Sequence, residues 1–238
     1  MNPDPILVEQ FAGQVVTDIA ATISGVMTNI GHKLGLYKAM AGAGHLSSSE
    51  LADKTGNDER YIREWLNNQV AGGYVLYHKD SEAYQLPDHH VPVLANDDSP
   101  VFLVPALEVA ASLWMDEDKI TDVFKSGEGI AWQDHHHRLF CGSESLFRPG
   151  YRTHLIPSWV SALDGITDKL NSGAKVADIG CGHGASTIVM AKAFPQSEFY
   201  GFDNHAESIA TAQQRANDEN CGGNLAFETV AAKDYMEK

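Results

Sequence analysis

Three glycines at every second position follow an apolar segment that contains an acid. The segment covers residues 176–179, and Gly180, Gly182 and Gly184 come directly after it. Glycine has no Cβ, so its φ can be positive and a ligand can approach its backbone closely. A small hydroxyl residue, Ser186, then opens a predicted helix whose N-terminal N–H groups point back at the glycines. This order of residue types predicts a nucleotide-binding loop between a strand and a helix.

The elements that must position this loop continue beyond it. The predicted helix covers residues 186–194, and a second apolar segment, residues 199–202, is followed by Asp203, which lies 23 residues after Gly180. Dinucleotide-binding folds place an acid about 20 residues beyond the glycine turn, where it accepts hydrogen bonds from ribose hydroxyls. The spacing G-x-G-x-G differs from the G-x-G-x-x-G of nicotinamide and flavin folds, and the absence of G-K-[ST] excludes a P-loop.

These residues resemble a known family. D-I-G-C-G-H-G-A-S, followed by G-F-D-N-H, is similar to motif I and the ribose-binding acid of class I S-adenosylmethionine-dependent methyltransferases. The resemblance implies a Rossmann-like α/β domain, S-adenosyl-L-methionine as cofactor and methyl transfer to a small-molecule acceptor. It places Asp178 near the methionine part of the cofactor, the glycines beneath it and Asp203 at the ribose. The cofactor-binding residues that it implies are Asp178, Gly180, Cys181, Gly182, His183, Gly184, Ser186, Asp203, Asn204, His205, Lys233 and Asp234.

The resemblance extends into a predicted third strand. Residues 224–230 have the apolar pattern of this strand, and Lys233 and Asp234 fall in the region where the family contacts adenine. Many members carry Gly-Asp-Ala in this region, whereas this chain has Ala231 and Ala232. The adenine contact therefore has less support from the sequence than the ribose contact.

Several side chains are candidates for contact with the cofactor or the acceptor. We expect His183 either near the methionine part of the cofactor or in solvent, and His205 beside the adenosine or at an exposed helix start. Trp132 is a candidate for substrate binding because it precedes a segment that could cap the substrate entrance, and the family resemblance makes Arg152 a second candidate. Each could equally be a surface residue. Residues 134–137 read Asp-His-His-His, but consecutive histidines cannot all face one ion, so we predict no metal site. No residue is assigned as the catalytic general base.

The N-terminal part predicts a winged helix. It combines helical periodicity over residues 15–43, a capping box over 47–50, a helix capped by Asn57 and a hairpin over 74–86. Acidic residues accompany the arginines of the third helix, so the lysine and arginine surplus that DNA binding needs is absent. Similar domains precede the catalytic domain of many small-molecule methyltransferases, which implies dimerisation. We therefore predict a winged-helix dimerisation domain (1–98), a helical connector and substrate-pocket region (99–172) and a partial Rossmann-like cofactor domain (173–238).

Composition limits the remaining possibilities. Apolar residues make up 43% of the 238 positions and the net charge is −15, which disfavours binding to nucleic acid or to an anionic membrane. We expect no signal peptide, and the apolar run 101–114 is too short to span a bilayer. Cys141, Cys181 and Cys221 form no C-x-x-C pattern, which favours reduced thiols and a cytoplasmic location. We expect the 101–114 run to be buried or to form part of a dimer seam.

Three strands are predicted, near residues 175–179, 198–202 and 225–230, whereas class I methyltransferases use seven. We expect a fragment of a longer protein; strands supplied by another chain and loss of activity are the alternatives. Two other functions stay open: a winged-helix transcriptional regulator that senses a nucleotide, and a non-catalytic dimerising scaffold with a vestigial nucleotide-binding domain. A nicotinamide-dependent oxidoreductase is disfavoured by the glycine spacing.

Overall fold

The computed structural model describes residues 3–221 and 223–234. The described residues form two compact units that meet in sequence between Leu107 and Glu108. The first unit is helical with a small hairpin, and the second is an α/β unit with a parallel sheet. The predicted fold class, a winged helix followed by a Rossmann-like domain, is confirmed.

The first unit has five helices and two strands among its described residues. Helix α6 continues from it into the second unit. The bounds are α1 Pro5–Lys33, α2 Leu36–Met40, α3 Ser48–Thr55, α4 Glu59–Ala71, β1 Leu76–His78, β2 Ala83–Gln85, α5 Val91–Leu94 and α6 Pro105–Met115. A 3-10 turn, Asp88–His90, precedes α5.

Helix α1 begins earlier than the periodicity from Val15 predicts. Asp4 is its N-cap, with the side chain accepting a hydrogen bond from the Ile6 N–H at 2.9 Å, and Pro5 occupies the first turn. Asp at the N-cap and Pro at N1 are both typical of helix starts. The helix also ends before residue 43, because Gly35 adopts a left-handed conformation with φ of 69°.

The helix-turn-helix part follows the predicted signals, with one correction. The capping box of α3 forms as predicted between Ser47 and Glu50. The cap of α4 is Asp58 instead of Asn57: its carboxylate accepts a hydrogen bond from the Tyr61 N–H. The Asn57 amide donates to the Thr55 carbonyl instead, so this residue completes the preceding turn.

The core of the first unit centres on Trp65. Its side chain is 2% exposed, and its indole N–H donates to the Met27 carbonyl of α1 at 2.8 Å. A Cβ on Gly31 would lie 2.4 Å from the Trp65 ring, so α1 and α4 touch closely at this point. The hairpin β1–β2 is antiparallel as predicted, and its Tyr84 pairs with Leu46 before α3.

The second unit builds a parallel three-stranded sheet among its described residues. Its elements are α7 Glu117–Ser126, α8 His137–Gly150, a π-helical segment Tyr151–Val160, α9 Ile166–Ser172, β3 Lys175–Ile179, α10 Ala185–Ala193, β4 Glu198–Asp203, α11 Ala206–Asp218 and β5 Leu225–Thr229. Two 3-10 turns, Trp132–Asp134 and Ala232–Asp234, complete it. The strand order is β3-β4-β5, with Val176 opposite Phe199 and Phe199 opposite Leu225. The carboxyl ends of β3 and β4 therefore lie side by side.

Apolar residues at 156, 159, 163, 166 and 170 have helical spacing, and this stripe predicts one helix with a buried face; the structure interrupts it. The π-helical segment ends at Val160, and Gly165, with φ of 71°, begins the separate helix α9. Leu170 is buried as predicted, but Trp159 and Leu163 are about half-exposed. The interpretation of the whole stripe as core was wrong: Leu163 lies in the turns of residues 161–165, and Trp159 precedes them in the π-helical segment.

The apolar run 101–114 is only partly buried. Phe102 and Val104 are buried, whereas Leu113 and Trp114 are more than half exposed. Burial of the entire run is therefore ruled out, and its exposed end keeps the alternative of a dimer seam open.

Candidate cofactor site

The glycine loop has the backbone conformation that its sequence predicts. Gly180, Gly182 and Gly184 have φ values of 78°, 54° and 74°, a region that side chains with a Cβ rarely adopt. A Cβ added at Gly180 or Gly182 would meet no atom within 4 Å, so the backbone at both positions faces open space. Gly184 is the N-cap of α10.

Asp178 joins the end of β3 to the start of α10. Its Oδ2 accepts hydrogen bonds from the hydroxyls of Ser186 and Thr187, each at 2.8 Å. Thr187 is fully buried, which fixes one of these donors in place. The strand-end acid therefore orients the first turn of the helix that follows the glycine loop.

Asp203 organises the loop from the neighbouring strand. Its carboxylate is at the end of β4 and the residue is 8% exposed. Oδ2 accepts from the Gly182 N–H and Oδ1 from the His205 N–H, both at 2.9 Å. Each carboxylate oxygen can accept more than one hydrogen bond, so the acid can support the loop and still receive a ribose hydroxyl.

A cleft of about 220 Å³ opens along this loop. Seven of the residues singled out from the sequence line it: Trp132, Asp178, Gly180, Cys181, Gly182, His183 and Ser186. The structure thus gathers the strand end, the glycine loop, the helix start and the predicted entrance tryptophan around one space.

Other predicted residues lie near this cleft without lining it. Asn204 is exposed, and its amide donates to Gln133 at 3.5 Å. The His205 ring lies 4.8 Å from the Phe140 ring, and its Nδ1 is 2.8 Å from the hydroxyl of Ser208, which does line the cleft.

The remaining predicted residues are placed apart from the cleft lining. Lys233 and Asp234 are exposed in the turn Ala232–Asp234, after β5. The Arg152 guanidinium is 3.7 Å from a carboxylate oxygen of Glu219, and its side chain is 45% exposed. The contacts of these three side chains with a ligand stay predictions.

The opposite wall of the cleft was not recognised from the sequence. It consists mainly of one face of α8 and the start of the π-helical segment, with the lining residues Phe140, Ser143, Glu144, Phe147 and Tyr151. These positions follow the i, i+3, i+4, i+7 spacing of a single helical face. This spacing could have predicted one helical face from the sequence, but it does not indicate which residues that face contacts.

Glu144 links this wall to the glycine loop. Its carboxylate is 2.7 Å from the Arg215 guanidinium of α11, and the two side chains are only 10% and 20% exposed. The same Arg215 nitrogen donates to the His183 carbonyl at 3.2 Å. One ion pair therefore connects α8, α11 and the loop.

Burial shifts the proton affinities of the loop side chains. It lowers the pKa of His183, which favours the neutral imidazole. It raises the pKa of the Cys181 thiol to about 12, with further contributions from Asp178 and Asp203, so the thiol stays protonated at neutral pH. Neither group carries a charge into the cleft at pH 7. Within residues 3–221 and 223–234, no cluster of three or more metal-ligating side chains is present.

The chain matches two protein families in two separate stretches. Residues 21–96 match the Rv2258c-like winged HTH domain, and residues 170–238 match a methyltransferase domain. Among curated proteins, trans-aconitate 2-methyltransferase of Streptomyces coelicolor is 33% identical over 61 residues, which are 26% of this chain and 20% of that protein. The homologue from Streptomyces avermitilis is 36% identical over 62 residues, or 26% of this chain and 23% of its own.

Solved methyltransferases share the fold at low identity. Mitomycin 7-O-methyltransferase aligns over 92% of this chain and 66% of its own, with a TM-score of 0.64 and 16% identity. An O-methyltransferase family protein of Burkholderia thailandensis aligns over 97% of this chain and 65% of its own, with a TM-score of 0.61 and 14% identity. Human N-acetylserotonin methyltransferase, solved with S-adenosylmethionine, aligns over 92% and 66%, with a TM-score of 0.57 and 16% identity.

The chain spans about two thirds of these solved structures and about a fifth of the curated relatives. Each family match lies within one structural unit: one covers the helix-turn-helix and hairpin, the other the glycine loop and the parallel sheet. The chain therefore combines a winged helix-turn-helix domain with the fold of the class I S-adenosylmethionine-dependent methyltransferases.

Proposed function

We propose that this chain binds S-adenosyl-L-methionine in the cleft along the glycine loop and takes part in methyl transfer to a small-molecule acceptor. One observation carries the proposal: two adjacent strand ends present Asp178 and Asp203 to a loop whose three glycines all have positive φ. The open space above Gly180 and Gly182 is where a cofactor can approach the backbone. The methyltransferase names of the related proteins support the same chemistry.

The cofactor supplies an electrophilic methyl group on a sulfonium, and this chain's residues supply its surroundings. Asp203 holds the loop and offers its remaining lone pairs to a ribose hydroxyl. Asp178 holds the start of α10, whose N–H groups face the loop. Trp132, Phe140 and Phe147 form an aromatic wall on one side of the cleft. Positioning of this kind can be worth roughly 7–11 kcal/mol in a transfer reaction.

A DNA-binding regulator is a weaker alternative for the winged-helix unit. Helix α4 would be the recognition helix, and its Arg63 guanidinium lies 3.8 Å from the Glu59 carboxylate on the same helix. Because Asp58 and Glu64 are also in this region, phosphate contacts would meet acidic neighbours. A non-catalytic scaffold is the second alternative, and it predicts dimers that bind no cofactor.

We also propose that the first unit mediates homodimerisation. Ten large apolar side chains of α1 are exposed, and those at 16, 19, 23, 26 and 30 form a stripe with three- and four-residue spacing. A second copy of the chain is the partner that this stripe fits, since such a surface can pair with itself.

Helix α1 also bears on the expected location. By length and composition, Pro5–Lys33 is the one helix of the described residues that could cross a membrane. Glu9 and Asp18 would then lie among lipid chains, at a cost of a few kcal/mol each, and α1 packs against α4 through Met27 and Gly31. We therefore favour dimerisation and a cytoplasmic location, which the free thiols Cys141, Cys181 and Cys221 also support.

Calorimetric titration of the 238-residue chain with S-adenosylhomocysteine tests the cofactor site. Asp203→Asn keeps the size of the side chain but removes its charge and one acceptor oxygen, so we expect binding to weaken at least tenfold, about 1.4 kcal/mol. Glu207→Gln, an exposed change nearby on α11, is the matched control and should bind as the unsubstituted chain does. Absence of binding by a folded, unsubstituted chain would contradict the proposal and favour the scaffold.

A further inference from the structure

We propose that Asp116 is a positioning residue for the cofactor cleft: its buried carboxylate holds residues 134–136 and thereby places Trp132 in the cleft wall. The inference rests on the proposed function of the cleft. It concerns a residue about 60 positions before the glycine loop, in a turn that carries no recognisable motif.

Asp116 lies between α6 and α7 and is only 2% exposed. It occupies the N-cap position of α7, yet its side chain makes no capping hydrogen bond to that helix. Instead, Oδ2 accepts from the His136 N–H at 2.7 Å, and the His135 Nδ1 lies 3.4 Å from the same oxygen. Asp116 therefore accepts a hydrogen bond from a segment about 20 residues later in the chain and none from the N-terminus of α7.

Lys119 adds two hydrogen bonds that help to hold residues 134–136. Its ammonium group donates to Oδ1 of Asp116 at 2.9 Å and to the Asp134 carbonyl at 2.6 Å. Three consecutive residues, 134–136, are thus bound to one carboxylate or to its lysine partner. These hydrogen bonds, first that of the His136 N–H and then that of Lys119, lower the pKa of Asp116 to about 2, so the carboxylate is ionised at neutral pH.

The anchored segment reaches the cleft through Trp132 and Gln133. The Trp132 ring lies 5.3 Å from the Phe140 ring of α8 and 6.2 Å from the His135 ring. Gln133 accepts a hydrogen bond from Asn204, the residue after Asp203. The segment therefore lies between Asp116 on one side and the cleft on the other.

A buried carboxylate is costly unless hydrogen bonds and a positive partner compensate for its desolvation. Here the compensating donors come mainly from the anchored segment and from Lys119, so the favourable interactions form only when residues 134–136 lie in this position. The energetics favour one placement of the segment, and with it one placement of Trp132.

The test compares Asp116→Asn with Asp122→Asn in titrations with S-adenosylhomocysteine. Asp122 is a matched control because it also pairs with a lysine three residues later, Lys125, on the same helix, but is 75% exposed. We expect Asp116→Asn to weaken binding about tenfold and to speed amide hydrogen exchange over residues 132–136. Asp122→Asn should change neither quantity.

A double variant separates positioning through Trp132 from a general loss of structure. Trp132→Ala should weaken binding by itself, and Asp116→Asn should then add little to that loss. Lys119→Met leaves the carboxylate in place and should weaken binding less than Asp116→Asn, which keeps the test available if the latter folds poorly. If the loss of affinity in the double variant equals the product of the losses in Asp116→Asn and Trp132→Ala, the role assigned to Asp116 is overturned.

The outcomes also distinguish this inference from the proposed function. Binding by the unsubstituted chain together with equal binding by Asp116→Asn would overturn only the inference. Absence of binding by the folded, unsubstituted chain would overturn the proposed function, and the inference would fall with it.

Discussion

At the scale of single residues, Gly184 is the most constrained position of the glycine loop. Its φ is 74°, and a Cβ there would lie 2.5 Å from the ring of Phe227 and 3.0 Å from the Cβ of Ala212. Phe227 is 6% exposed and belongs to the core beneath the loop, so it has little room to move. Glycine is required here for two independent reasons, backbone conformation and close packing.

We therefore expect Gly184→Ala to lower the free energy of unfolding by about 2–4 kcal/mol, the combined cost of the left-handed backbone and of overpacking. Urea denaturation measures the difference. Gly129→Ala is the control, because a Cβ at Gly129 meets no atom within 4 Å and its φ is not in the left-handed region. Equal stability of the two variants would contradict the packing described for the loop.

At the scale of elements, the Glu144–Arg215 ion pair decides how the aromatic wall meets the glycine loop. Helix α8 supplies Glu144, α11 supplies Arg215, and the arginine also holds the His183 carbonyl. Because both side chains are largely buried, removing Arg215 leaves the Glu144 carboxylate with the more distant Arg148, at 3.7 Å, as its cationic partner.

We expect Arg215→Met to lower the free energy of unfolding by about 1–3 kcal/mol. The double variant Arg215→Met/Glu144→Gln should recover part of that loss, since the carboxylate that lost its nearer cationic partner is then neutral. Lys125→Met, which breaks an exposed pair with Asp122, should cost less than about 1 kcal/mol. Denaturation of these proteins and of Glu144→Gln alone measures the coupling, and purely additive effects would show that the pair does not join the two helices.

At the scale of the whole molecule, the proposed homodimer depends on the exposed stripe of α1. Val16 lies within this stripe and is 64% exposed, whereas Gln14 is an exposed polar residue on a different face of the helix. We expect Val16→Glu to shift the chain from dimer to monomer in analytical ultracentrifugation, because a charge at an apolar interface has no partner there. Gln14→Glu adds the same charge and should leave the dimer intact.

Two results would contradict this assembly. A monomeric unsubstituted chain at micromolar concentration would rule out dimerisation through α1. Flotation of the unsubstituted chain with neutral phosphatidylcholine vesicles, lost in Val16→Glu, would instead assign the stripe to a lipid surface.

Several features of this protein could be predicted from the sequence because they depend on neighbouring residues. The capping box at Ser47, the hairpin, the three strands and the positive φ of Gly180, Gly182 and Gly184 all follow from short-range preferences. Local signals at Asp4 and Pro5 were also present and extend α1 beyond the periodic segment. Steric and hydrogen-bonding preferences between residues a few positions apart do not depend on the tertiary fold.

The residues that share the cleft are distant in the chain, and their proximity could not be predicted before the fold was known. The face of α8 that lines it, the ion pair of Glu144 with Arg215 and the contact of Asp116 with His136 join residues that are 20 to 71 positions apart. The turn at residues 161–165 likewise interrupts a periodic stripe that the sequence alone continues. Such contacts depend on how helices pack and which charges become buried, and those energies exist only once the chain has folded.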